Sequence, residues 1–286
     1  MLSSLIVLYL FLGGLGAGIV FIEVTWSLVV KFSGTSIVSL VPYVRQRSIG
    51  LLVGCALLVL GGVCLVFDLE RPDRALFVLF RPTLSILSVG SYMLVIAAVL
   101  AALLSWRSYK GKTSFESMRC YLGVAVLTLL FCFGVMAYTG IYLESIKAVA
   151  VWNSPLLPLV FTTSSLSCGC AAVFIITMFV EDGWRLRERL HGWHRFHLVI
   201  LAVELIALVI YVFVMALAPS AQESVELLLS PSAYGLWFVG GLGLLGLVVP
   251  LCVEVFEFFI NNQQAFPAAH VLCILGGFLL RFCLVS

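Results

Sequence analysis

The chain has 286 residues, 63% of them hydrophobic and only 10% charged, with a formal net charge of +2. A mean hydropathy of +1.18, carried by long apolar runs, excludes a water-soluble globule and makes this an integral membrane protein. The basic residues are spread along the chain rather than gathered into one patch, which excludes nucleic acid as a partner.

A helix needs about 20 apolar residues to cross the hydrocarbon. Runs of that kind occur at roughly 3–30, 48–68, 88–106, 119–143, 155–180, 196–218, 234–256 and 266–285, so the expected fold is all-α with eight transmembrane helices. The first run lacks a basic leader and stays apolar past signal-peptide length, so it is expected to remain in the mature protein. Lys and Arg concentrate in three links: Lys31, Arg45 and Arg47; Arg107, Lys110, Lys112 and Arg119; Arg185, Arg187, Arg189 and Arg195. The alternate links hold only Arg71, Arg74, Arg81 and Lys147. Because cytoplasmic loops are enriched in basic residues, both termini are expected on the exoplasmic side.

Taken in chain order, the first span carries Tyr9 and the small-residue stripe Gly13-Gly14-Leu15-Gly16-Ala17-Gly18. Such a stripe serves close helix packing by default, and it also makes room for a flat ligand head near Tyr9. Glu23 follows fourteen residues later, nearly on the same helix face and about 21 Å deeper at ~100° and 1.5 Å per residue. After the second span, Asp68, Glu70, Arg71, Asp73, Arg74 and Arg81 crowd into one exoplasmic link, where charge in an apolar chain marks chemistry or a partner.

The link after the fourth span joins Tyr138, Glu144 and Lys147 to Trp152, Asn153, Pro155 and Pro158. Interfacial aromatic anchoring and a proline helix start account for some of these. A phenol, an amide and a lysine on the side of the Asp68–Arg81 cluster also suit a ligand or docking site. Farther on, Glu204 and Arg281 lie within apolar spans, and with Glu23 they form either a buried proton path or static pairs between helices. His191, His194 and His197 open the sixth span in a basic segment and read as a solvated interface helix, with His270 apart. A dihaem arrangement is the minority alternative, and no metal ligands are assigned.

Gly241, Gly243 and Gly246 spell GxGxxG, but a dinucleotide fingerprint needs a strand before it and a βαβ unit around it. Packing is the expected role. The nine cysteines (Cys55, Cys64, Cys120, Cys132, Cys168, Cys170, Cys252, Cys273 and Cys283) form no CxxC pair. They read as small apolar packing residues, so no iron–sulfur cluster is expected in this chain.

Three blocks, YLFLGGLGAG, DLERPDRALFVLFRP and YTGIYLESIKAVAVWNSPLLPLVF, resemble the NrfD/polysulfide reductase membrane-subunit family in order and spacing. Glu70 is a departure, since glycine often stands there in the family. The resemblance implies two four-helix bundles, 1–143 holding a quinone site and 144–286. It implies a membrane anchor of a respiratory oxidoreductase, in the cytoplasmic (inner) membrane, with menaquinone or ubiquinone as substrate and no haem or cluster of its own. Implied partners are a four-cluster iron–sulfur, ferredoxin-like subunit and a catalytic subunit, either a molybdopterin enzyme or a multihaem cytochrome.

Within that reading Tyr138 and Tyr9 hydrogen-bond the quinone, and Asp68 or Glu70 accepts its protons. Arg71, Arg74, Arg81, Lys147, Trp152 and Asn153 dock the partner. Two rivals are a secondary transporter using Glu23, Glu204 and Arg281 at the midplane, and a haem-bearing cytochrome b-type subunit.

Overall fold

The computed structural model describes residues 4–32, 41–68, 85–109, 118–180, 191–230, 235–260 and 267–285. Among these the chain is helical throughout, with no strand. The elements are α1 (Ser4–Phe32), α2 (Val41–Asp68), α3 (Ile86–Tyr109), α4 (Met118–Ser145), a 3₁₀ turn (Ala150–Trp152), α5 (Leu156–Phe179) and α6 (His191–Leu217). The short α7 (Gln222–Leu229) precedes a rod of two parts, π-helical α8 (Leu236–Val248) and α9 (Val249–Ile260), and α10 (Pro267–Val285) ends the chain. Counting the rod once, 8 helices are long and apolar enough to cross a membrane. The expected all-α, eight-span, multi-pass membrane protein is what the structure shows.

Apolar side chains point outward as well as inward, which is the signature of lipid as the solvent. Leu52, Val59 and Phe67 on α2, Leu130 and Phe133 on α4, and Val199, Ile206 and Phe213 on α6 are all exposed. The most enclosed spans are α1 and α5. Helix α1 packs against α2, α4 and α5; α5 packs in turn against α6 and α10, and α10 against α8. The first four spans thus meet the last four chiefly through α1 and α5.

The small-residue stripe makes that contact possible. A methyl group on Gly18 would strike the Ser165 carbonyl of α5, and one on Gly169 would lie 2.5 Å from the Gly18 carbonyl carbon. Only glycine allows two backbones so close. The GxGxxG triplet also packs: a methyl on Gly246 would sit 2.5 Å from Gly276 Cα in α10. The π-helical turns of α8 end just before Pro250, whose missing N–H breaks the ordinary ladder and favours a widened register.

Two helices begin earlier than hydropathy indicates. Helix α2 starts at Val41 because Tyr43, Gln46 and Arg47 turn inward and are buried. Helix α6 starts at His191, and its polar first turns also face partly inward. The interface reading is therefore corrected for His197, which is 0% exposed; His194 stays 25% exposed, the His191 side chain lies outside the described ones, and the distant His270 is 1% exposed. The driving force is a matched set of acids on α9, which hydropathy averaging does not register.

Candidate functional site

Tyr9 lies in the second turn of α1, and Tyr138 projects from α4 across to it. Their exposures are 1% and 4%. The two phenols are near enough to act on one another, with Tyr142 alongside. The Tyr138 and Tyr142 rings are 6.1 Å apart at 35°. The Tyr138 ring lies flat against Gly90 of α3, where any β-carbon would overlap it. The Tyr138 hydroxyl is buried, with the Tyr9 hydroxyl as a donor toward it, and its own proton meets no acceptor among the described residues. A buried donor without an acceptor is costly, so this phenol is poised for an acceptor that the described residues do not supply.

Asp68 ends α2 within electrostatic reach of Tyr142, so the acid read from the sequence does sit on the tyrosine side. Glu70, Arg71, Arg74 and Arg81 lie outside the described residues. Lys147 and Asn153 are exposed near this end. Trp152 instead points into the protein, its indole N–H donating to Leu284 O at 2.6 Å. Tyr211 Oη donates to Val151 O at 2.6 Å, so the 3₁₀ turn is tied to both α10 and α6. Ser154 starts α5 by accepting the Leu156 amide at 3.3 Å, just ahead of Pro155.

A second polar network runs through the opposite half, beginning beside Tyr9. Arg281 of α10 is 1% exposed, and its guanidinium donates to Leu10 O at 3.1 Å, Gly277 O at 2.7 Å, Ser165 Oγ at 2.7 Å and Ser164 Oγ at 3.3 Å. A methyl on Gly14 would come within 2.9 Å of Nη2, so the glycine stripe also admits this side chain. Phe11 and Phe161 cover the guanidinium at 5.8 and 5.2 Å.

Ser164 and Ser167 in turn hydrogen-bond Glu204 of α6. The Ser167 carbonyl contacts His197 Nε2 at 3.1 Å. His197 Nδ1 lies 2.5 Å from Glu254 of α9, and His194 Nε2 lies 3.5 Å from Glu257. Equal spacings on antiparallel helices make two rungs, His197 with Glu254 and His194 with Glu257. Phe174 stacks on His270 at 5.1 Å and 10°, closing the cluster from α5.

Of the three ionisable residues assigned to one path, Glu204 and Arg281 belong to this network through Ser164. Glu23 belongs to a different cluster. Its carboxylate accepts from Gln46 Nε2 at 2.6 Å, fits against Gly50, and lies near Arg47. Arg47 donates to Tyr121 Oη at 2.8 Å, and Ser27 meets the same oxygen at 2.7 Å. Sequence reasoning does not join Ser164, Ser167, His197, Glu254 and Glu257 into one network. The signals are nevertheless present in the hydroxyl-rich run Thr162–Ser167 and in the matched three-residue spacings.

The family model described as "Polysulphide reductase, NrfD" matches residues 2–286. The chain belongs to the NrfD family. Among its relatives, NrfD of Escherichia coli is 28% identical, the match covering 97% of this chain and 91% of that protein. The NrfD homolog of Haemophilus influenzae is 24% identical, with coverage of 97% and 91%. A polysulfide reductase subunit of Wolinella succinogenes is also 24% identical, with coverage of 97% and 90%. In this NrfD-family member the tyrosine pair and the Arg281–Glu204 network are two of several buried polar clusters among the described residues.

Proposed function

We propose that this chain is the quinone-reactive membrane subunit of a respiratory oxidoreductase. The observation that carries the reading is the Tyr138 hydroxyl, buried between α1, α3 and α4 with no hydrogen-bond acceptor among the described residues. A quinone carbonyl is an acceptor of the right kind, and the close fit of the ring over Gly90 shows how tightly the phenol is placed. Tyr9 stands beside it as a second phenol. Oxidation of a quinol releases two protons with two electrons, so an acid within reach is required. Asp68 supplies one near Tyr142, and Glu70 is the other candidate.

In this reading the electrons pass to or from a four-cluster iron–sulfur, ferredoxin-like subunit on the exoplasmic side. Arg71, Arg74, Arg81, Lys147 and Asn153 present its docking surface, and the catalytic subunit lies beyond it. Trp152 contributes by holding the link in shape through Leu284. The membrane is the cytoplasmic (inner) one, both termini face outward, and α1–α4 and α5–α10 form the two bundles. Glu204 and Arg281 hold protons or charge beside the site, with Arg281 anchored on Leu10, next to Tyr9. Glu23 serves a separate cluster at the far end.

Binding of a quinol analogue to the purified full chain, followed by quenching of intrinsic fluorescence, tests the site. Tyr138→Phe is expected to weaken binding about tenfold, the worth of one buried hydrogen bond. Equal affinity in the two proteins would remove Tyr138 from the site.

A further inference from the structure

At the end of the polar network remote from Tyr9, three helices bring their side chains to one point. His197 of α6, Glu254 of α9 and His270 of α10 are 0%, 1% and 1% exposed. One donor atom from each lies within 4.8 Å of the others. The tautomer of His197 follows from its neighbour. A carbonyl only accepts, so the Ser167 carbonyl at 3.1 Å from Nε2 requires that nitrogen to carry the proton of a neutral ring. Nδ1 then presents a lone pair, and it faces Glu254 Oε1 at 2.5 Å.

Two lone pairs do not attract each other, so a cation belongs between them, either a proton or a metal ion. Two further observations separate these. His270 Nδ1 approaches the same carboxylate oxygen at 3.8 Å from a third helix. Glu254 Oε2 is buried and accepts no hydrogen bond among the described residues. A single proton serves one nitrogen–oxygen pair and leaves Oε2 without a hydrogen-bond partner among the described residues, whereas a metal ion answers the carboxylate and both imidazoles together. The His197–Ser167 contact also has the form that fixes a metal-ligating histidine, whose second ring nitrogen donates to a backbone carbonyl.

We propose that His197, Glu254 and His270 form a binding site for a divalent transition-metal ion, which pins α6, α9 and α10 together. Two imidazoles and a carboxylate suit zinc best among common ions and leave its fourth position open. Ligand bonds of about 2.0–2.2 Å in a tetrahedron place the donor atoms a little over 3 Å apart. Metal entry therefore draws Nδ1 and Oε1 apart by less than about 1 Å, a side-chain adjustment. The His194–Glu257 rung, with His194 partly exposed, lies on the approach from the bundle end. This site does not depend on the quinone reading.

The test is elemental analysis of the full chain purified in detergent from zinc-supplemented cells. The expected result is about one zinc per chain in the wild type. It should fall at least fivefold in Glu254→Gln and in His270→Ala, while Glu223→Gln, at an exposed carboxylate on α7, keeps it. Absorption spectroscopy at the zinc edge should show imidazole and oxygen ligands. A wild type without zinc overturns the proposal and leaves a shared proton between His197 and Glu254. Equal zinc in wild type and variants means an adventitious ion only and overturns it too. Should the variants fail to fold, wild-type protein alone decides: a chelator should lower its Tm and added zinc restore it, and an unchanged Tm overturns the proposal.

Discussion

The tyrosine pair and the Arg281–Glu204 network are both buried and both cross between helices, yet they are finished differently. Arg281 donates to two backbone carbonyls and two serine hydroxyls, and Glu204 accepts from serines on α5. That network is internally answered and reads as architecture with charge stored in it. Tyr138 is packed against Gly90 and flanked by Tyr9 and Tyr142, but its hydroxyl proton is left without an acceptor among the described residues. In a low-dielectric interior, a satisfied group holds the fold and an unsatisfied one calls for a further partner, a water or a ligand. The difference predicts that the two regions respond oppositely to substitution.

Arg281→Leu should show the largest effect. It removes the donor from four acceptors, a loss of about 3 kcal/mol or more for several buried polar groups left unanswered. Thermal unfolding in detergent checks it, and a change under about 1 kcal/mol would mean that the network is not what holds α10 to α1 and α5. Gly90→Ala comes next. Its methyl must displace the Tyr138 ring, costing about 1–3 kcal/mol by overpacking, and quinol oxidation should fall with the ring's displacement. Full quinol activity in this variant would separate ring position from function.

Trp152→Phe should cost about 1 kcal/mol through the lost bond to Leu284, measured as a small drop in Tm. A partner subunit released from membranes by this change while the chain stays folded would return Trp152 to the docking surface. The smallest stability effect belongs to Tyr138→Phe, within about 0.5 kcal/mol, because its hydroxyl donates to no acceptor among the described residues and gives up only the contact with Tyr9.

Different parts of the molecule are legible in the sequence for different physical reasons. Apolar length places all eight spans, since crossing hydrocarbon leaves few alternatives. It misses the starts of α2 and α6, where Arg47 and His197 are polar yet turn inward. Glu204 and Arg281 stand out as charges in lipid-length runs, but helical spacing gives a face and not a partner, so their link through Ser164 is invisible. For the same reason the sequence groups Glu23 with them, although it packs on Gln46 and Gly50 of α2. Tyr138 comes from the family resemblance, and the structure adds that its hydroxyl proton has no acceptor among the described residues. The His197–Glu254–His270 cluster needs three helices brought together, which no local pattern encodes.

The central claim is that Tyr138 is left open for a quinone, and steady-state quinol oxidation by the assembled complex tests it most directly. Tyr138→Phe should assemble and melt like the wild type while kcat/KM for quinol falls about tenfold or more, the cost of one hydrogen bond to the reacting carbonyl. An unchanged kcat/KM in a fully assembled variant would contradict the claim and place quinone chemistry elsewhere in the protein.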